Sequence, residues 1–256
     1  MMTATLPRVI GMLHLPPLPG APHYGGDLAK VRDFVLRDAE ALAAGGVDAL
    51  MIENFGDTPF YPGAVPAHVV AHMTSLAGDV MRHFPLPLGI NVLRNDGCAA
   101  LSIAHALGAG FIRVNILTGA RVTDQGLIQG IAHDLLRLRR TLDASNIRIF
   151  ADVNVKHSAP LGAVALEDEV DDVIHRGGAD ALVVTGAGTG KTTNLDELKR
   201  VAGRAGQMPV YVGSGVSADT IGDFLQYARG VIVGTSLKTN GIVDVNKVRT
   251  LVKAAG

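Results

Sequence analysis

Short apolar runs alternate with stretches of helical spacing along the whole chain. Val9–Leu13 reads as a first strand, followed by the proline-stiffened loop His14–Gly20. Lys30–Ala44 puts Val31, Phe34, Val35, Ala39 and Leu42 on one helical face and stops at Gly45-Gly46. Asp48–Glu53 is a second strand, leading through the loop Asn54–Pro66 into a helix over Ala67–His83. A third pair is Leu86–Leu93 and Asp96–Leu107. The fourth is Phe111–Ile116 and Asp124–Leu142, whose stripe of Leu135, Leu136, Leu138 and Leu142 predicts the longest helix. Ile147–Val155 with Glu167–Arg176, and Asp180–Val184 with Leu195–Arg204, follow. Pro209–Val212 is a seventh strand, and Ser217 a helix cap before Ile221, Phe224 and Leu225. Gly230–Val233 is the eighth strand and Val245–Ala254 the last helix.

Strict strand-then-helix alternation implies parallel strands joined by helices. The joints AGGVDAL, LGAGFIR, RGGADAL and YARGVIV repeat one device, a glycine helix stop followed by a short buried strand. A doubly wound open sheet shares the alternation. Eight units in 256 residues, about thirty residues each, favour closure into a (β/α)8 barrel. No linker or composition shift divides the chain, so one domain over 1–256 is expected.

Composition narrows the function classes. An apolar fraction of 48% fills a large core, and 23 Lys+Arg against 24 Asp+Glu leave a chain with almost no net charge. No basic tract suggests nucleic acid, and no strong pull to anionic membranes is expected. The N-terminal segment lacks a signal-peptide pattern, and no apolar run reaches a membrane span. A single cysteine, Cys98, forms no internal disulfide and suits a reducing cytoplasm; within CAALSIAHALGAG it reads as helix filler. Homo-oligomers are common among barrel enzymes and are expected here.

Candidate chemistry gathers at the strand exits, where barrel active sites lie. Gly213-Ser214-Gly215 and Gly234-Thr235-Ser236 close the last two strands. Glycine lets backbone N–H groups face an anion without a Cβ in the way, and a helix start adds partial positive charge. The pair of corners therefore predicts a phosphate site; tight turns alone would need the same glycines. Period-two alternation sends Met51 and Glu53, Gly89 and Asn91, Phe111, Arg113 and Asn115, and Asp152, Asn154 and Lys156 into the barrel. An inward Arg113 needs a partner, Glu53 or Asp152, and such a network could equally be a structural plug.

Three chemistries fit these groups. Glu53, Asp152 and Lys156 could move a proton beside a carbonyl and steady the enolate, the first choice. A divalent metal on Glu53, Asp152, His14 and His157, with Glu53, Asp152 and His157 the leading candidates, ranks second and is the one cofactor considered; no spacing is diagnostic. A Schiff base on Lys156 ranks third. His14, Asn91, Arg113, Asn115, Asn154 and Thr185 would position a small phosphorylated substrate. Thr185–Thr192 imitates a P-loop, but Thr185 stands where its first glycine belongs. Lys191 in that segment is expected to reach substrate or solvent.

The strings GMLHLPPLPGAP, GGVDALMIENFGDTPF, PLGINVLRND, FIRVN, ADVNVKHSAPL, ADALVVTGAGTG, VYVGSGV and GVIVGTSLK, in this order over nearly the whole chain, resemble the BtpA/SgcQ family. The resemblance implies a barrel similar to the ribulose-phosphate-binding type. It also implies two functional directions: sugar metabolism, or biogenesis or stability of photosystem I in a photosynthetic host. Asn154 departs from the family's pattern, where ADVHVKH would place a histidine, and Gly188-Thr189-Gly190-Lys191 is a glycine-rich variant of the family's TG loop. An isomerase, epimerase or lyase acting on a phosphorylated sugar-like metabolite is the first expectation, and a non-catalytic assembly factor the alternative.

Overall fold

The computed structural model describes residues 6–186 and 193–256. The segment carrying Gly188-Thr189-Gly190-Lys191 therefore lies outside the described residues. Eight parallel strands close into a barrel: β1 Val9–His14, β2 Ala49–Glu53, β3 Leu88–Asn91, β4 Phe111–Val114, β5 Arg148–Val153, β6 Ala181–Val184, β7 Val210–Val212 and β8 Gly230–Val233. Each pairs with its neighbours in sequence. The ring closes where Val9, Ile10 and Gly11 pair with Val231, Ile232 and Val233. The chain is a (β/α)8 barrel.

Eight helices surround it: α1 Leu28–Gly45, α2 Ala67–His83, α3 Gly97–Leu107, α4 Ala132–Thr141, α5 Leu166–Asp171, α6 Leu195–Ala205, α7 Ile221–Phe224 and α8 Val245–Ala255. Asp27, Asp96, Asn194 and Asp244 cap α1, α3, α6 and α8 through their side chains. Asp96 also accepts from the Val65 amide, so one carboxylate fixes both a helix start and the long β2 exit loop. α5 continues as a π-helical turn, Asp172–Arg176. Cys98 is half-buried on α3 against the outer core, and burial pushes its thiol up.

The outer core lies between strands and helices; a second, smaller cluster fills the barrel. Ile10, Met12, Met51, Phe111, Phe150, Val183, Tyr211 and Ile232 belong to that inner cluster. Phe150 packs against both Phe111 and Tyr211 with ring centroids 4.9 Å apart. Tyr211 donates its hydroxyl hydrogen to Pro7 O at 2.8 Å. Space for this aromatic stack comes from Gly89, where a Cβ would fall 2.2 Å from the Phe111 ring.

The fourth unit differs from its expected form. The long helix over Asp124–Leu142 is absent. Ala120–Thr123 and Gly126–Gln129 form an antiparallel hairpin, joined by Ser158–Pro160 from the β5 exit, and α4 begins only at Ala132. Gly126 turns the hairpin at φ +95°. Gly130 lies so close to Leu117 and Thr118 that a Cβ would fall 2.6 Å from the Thr118 Cα. The longest helix is α1. The helix expected after Ser217 shortens to the single turn α7, with Ser217 bonded to Thr220 rather than capping it. No helix of the described residues is long and apolar enough to cross a membrane.

Gly89→Ala should cost about 1–3 kcal/mol in urea unfolding, because the Phe111 ring cannot yield as a flexible side chain would. Adding Phe111→Leu should recover part of that loss. A neutral Gly89→Ala would show that the inner stack has slack.

Candidate functional site

Above the aromatic stack the inward positions turn polar. Arg113 on β4 and Asp152 on β5 form a two-pronged pair, Nε to Oδ1 at 2.8 Å and Nη2 to Oδ2 at 2.9 Å, with both residues about 3% exposed. Asn115 adds a bond from Nδ2 to Asp152 Oδ2 at 2.8 Å. Burial alone would lower the Arg113 pKa; Asp152 outweighs it, and the net direction is upward. Gly213 on the β7 exit makes room for this pair, since a Cβ there would lie 2.5 Å from Val183 and 3.2 Å from Arg113 Nη2.

A cavity of about 280 Å³ opens over this layer, between His14, Glu53, Arg113 and Lys156 on one side and the β7 and β8 exits on the other. The exits are tied together, because Ser236 Oγ donates to Val216 O at 2.6 Å. The backbone N–H groups of Gly215, Val216, Thr235 and Ser236 make no hydrogen bond among the described residues. All four residues line the cavity. Ser214 Oγ accepts from the Gly186 amide at 2.6 Å, so the two serine hydroxyls brace the corners and leave these amides without a protein partner among the described residues. Gly234 is needed there too: a Cβ would fall 2.6 Å from His14 Cε1.

Glu53 stands at the inner wall. Asn91 Nδ2 donates to its Oε2 at 2.7 Å, and His14 Nε2 lies 3.8 Å from Oε1. Burial pushes the Glu53 carboxyl up, against the pull of Arg113 and Lys156. Burial, followed by the Arg113 charge, brings the Lys156 ammonium down. A carboxyl and an ammonium on one wall are thus moved toward each other in pKa. Thr185 Oγ1 accepts from the Lys156 amide at 3.1 Å and fixes its backbone. His14 stacks on Phe55 with ring centroids 4.5 Å apart. Burial first, then Lys238, Lys156 and Arg113, lower its pKa to about 3, so the imidazole is neutral.

The structure thus brings His14, Glu53, Arg113, Lys156 and both glycine corners to one cavity. Asn91 and Thr185 reach it through Glu53 and Lys156. Asp152 does not line it, and its oxygens are committed to Arg113 and Asn115. Asn154 departs from its expected inward direction. β5 ends at Val153, Asn154 turns left-handed at φ +48°, and its side chain joins Arg121 and Glu197 outside the barrel. His157, exposed and also left-handed, lines an adjoining lobe. Among the described residues no three His, Cys, Asp or Glu side chains could hold a metal, so Glu53, Asp152 and His157 do not form a ligand set. Alternation gave no sign of Phe55, the lid over His14. It follows Glu53 by two residues in a loop packed so tightly that a Cβ on Gly56 would fall 2.4 Å from Pro17 N.

The model of the BtpA family matches residues 5–256. Photosystem I biogenesis protein BtpA of Synechocystis is 48% identical over 92% of this chain and 82% of its own length. An uncharacterized protein of Thermococcus kodakarensis is 47% identical over 96% and 94%. One from Caenorhabditis elegans is 32% identical over 94% and 88%. Among solved structures, N-(5'-phosphoribosyl)anthranilate isomerase from Pyrococcus furiosus has a TM-score of 0.59 at 14% identity, covering 97% of this chain and 98% of its own. KGPDC from Streptococcus mutans has a TM-score of 0.61 at 12% identity, covering 98% of each chain.

A histidine held neutral in the fold titrates only in the unfolded chain between pH 6.5 and about 3. Stability should therefore fall as pH drops through that window, with a slope approaching about 1.4 kcal/mol per pH unit from this group. His14→Asn should flatten the slope in urea unfolding at stepped pH. An unchanged slope would show that His14 is not held neutral.

Proposed function

The chain belongs to the BtpA family, and from that premise we propose that its barrel mouth binds a phosphorylated, sugar-like metabolite and converts it by proton transfer, as an isomerase, epimerase or lyase. The observation that carries this reading is the group of four amides without protein partners among the described residues, at two corners tied together that line one cavity with a buried carboxyl and a half-buried ammonium. A bound phosphate satisfies N–H groups that otherwise depend on water. In (β/α)8 barrels the exits of strands seven and eight often serve this purpose. One structural neighbour, N-(5'-phosphoribosyl)anthranilate isomerase, is by its name an enzyme of a phosphorylated metabolite, which is consistent with the reading.

With phosphate at the corners, the next carbons of the substrate lie toward Glu53 and Lys156. Glu53, ionised, takes a proton from the carbon beside the substrate carbonyl. The electron pair of that C–H bond becomes a C=C bond to the carbonyl carbon, the C=O π pair moves onto the oxygen, and the Lys156 ammonium and Arg113 steady the enolate. Protonated Glu53 returns the proton to the former carbonyl carbon as the proton of the adjacent substrate hydroxyl passes to the enolate oxygen, which gives the isomer. Asp152 holds Arg113 in place and leaves the proton to Glu53. His14, neutral, offers one donor and one acceptor to a substrate hydroxyl.

The name of the cyanobacterial relative and four exposed apolar side chains, Val122, Leu127, Leu161 and Val164, on and beside the three-stranded sheet favour a second reading. In it the barrel serves as an assembly factor and works through its surface. Relatives in an archaeon and a nematode, organisms without photosystems, weigh toward the first.

Inorganic phosphate and a panel of sugar phosphates at millimolar concentration should raise the melting temperature. Thr235→Glu, which sets a carboxylate beside the corners, should abolish the shift without lowering the melting temperature of the free protein. No stabilisation by any phosphorylated compound would leave the surface reading standing. For a substrate found this way, kcat/KM should rise with pH as Glu53 ionises and fall as Lys156 loses its proton, both limbs drawn toward neutrality. Glu53→Gln should cost about 10²–10⁴ in kcat and remove the acid limb.

A further inference from the structure

The phosphate cavity does not end at Glu53. A second lobe of about 460 Å³ shares Glu53, Phe55, Arg113 and Lys156 with it and runs toward the β3 and β4 exits. Its walls are of two kinds. Phe55, Phe60 and Leu93 make an apolar side, and Arg94 and Asn115 present polar groups against it.

Both polar residues are buried and incompletely satisfied. Arg94 is 4% exposed, and its side chain makes one hydrogen bond, Nη2 to Lys156 O at 2.7 Å. No carboxylate pairs with it within ion-pair distance among the described residues. A guanidinium carries five N–H donors in a flat fork that matches a carboxylate, and burying it without a counter-anion is costly. Asn115 is 3% exposed. Its Nδ2 is committed to the Asp152 carboxylate, which can only accept, so the amide cannot be flipped and Oδ1 is the free end. That oxygen is buried with no partner. Asp124 and Glu53 also line the lobe, a poor neighbourhood for a second dianion and a tolerable one for a monoanion.

We infer that the second lobe takes the far half of the substrate, an apolar body bearing a carboxylate that pairs with Arg94 and an O–H or N–H group that donates to Asn115 Oδ1. This rests on the reading of the glycine corners as the phosphate site and makes the substrate class narrower: a phosphorylated metabolite with a carboxylate at its other end. Glu53 and Lys156, shared by both lobes, then face the middle of the molecule, where the proton moves. Arg94 here binds and orients; it takes no part in the proton transfer.

Fragments separate the two halves. Ligand-observed NMR and thermal shift are run with inorganic phosphate, benzoate and benzamide, the last being the neutral counterpart of benzoate. With phosphate saturating, benzoate should bind wild-type protein with a Kd on the order of millimolar, at least about tenfold tighter than benzamide. Arg94→Gln should weaken benzoate about tenfold and leave phosphate binding unchanged, which also serves as its folding control. Should that variant fail to fold, the benzoate and benzamide comparison on the wild type decides alone. Equal binding of the two fragments, or no benzoate binding, overturns the inference while leaving the phosphate site intact. Two phosphates per chain, the second lost in Arg94→Gln, would assign Arg94 to a second phosphate and overturn the carboxylate. Absence of any phosphate binding strikes the corner reading instead, and the benzoate result then judges the lobe by itself.

Discussion

The pair between Arg113 and Asp152 sets the terms for the rest of the barrel mouth. A guanidinium at this depth gains much from a paired counter-charge, and losing one partner of such a pair typically costs about 3–5 kcal/mol. Asp152 accepts two bonds from Arg113 and a third from Asn115. Gly213 is glycine partly because Arg113 occupies the space a side chain would need. The Arg113 charge then reaches outward: it helps lower His14 and Lys156 and opposes the upward push of burial on Glu53. One ion pair thereby converts a plug of polar side chains into a wall with a neutral imidazole, a reluctant carboxylate and a weakened ammonium.

Below that layer lies a dry floor, and the division between them follows from the pleat. Positions two apart on a strand share a face, so several strands contribute an apolar residue to the floor and a polar or glycine residue to the mouth: Met51 then Glu53, Phe111 then Arg113, Phe150 then Asp152, Tyr211 then Gly213. The same rule made much of the site legible from sequence. Arg113, Asp152 and Glu53 share the inward face with apolar neighbours two residues back, and the need to pair a buried arginine narrowed its partner to Glu53 or Asp152, of which the structure selects Asp152.

Where a strand stops, that rule stops with it. Asn154 would point inward on a longer β5, but the chain turns left-handed there and hands the side chain to Arg121 and Glu197. Arg94 lies three residues past the end of β3, so its arrival in the second lobe depends on the loop and has no periodic sign. The serine hydroxyls of the two corners were equally opaque, because their partners, Val216 O and the Gly186 amide, come from other loops. The hairpin after β4 was hidden by the leucine stripe of α4 extended backward through Gly126 and Gly130. The two glycines within that stretch were signals against a helix. Family membership supports the fold and the order of these motifs; the chemistry rests on the side chains themselves.

The glycine corners sit on β7 and β8, and β8 is the strand that meets β1 to shut the ring. The two ends of the chain must therefore find each other before the anion cradle finishes taking shape. An intermediate holding only the earlier strands has nothing to offer a ligand. The cavity above the corners is also lined by His14 of β1, so a ligand filling it would touch strands on both sides of the seam. Such a ligand belongs to the last step of assembly and is felt as slower opening of the finished ring, with the early steps of folding untouched.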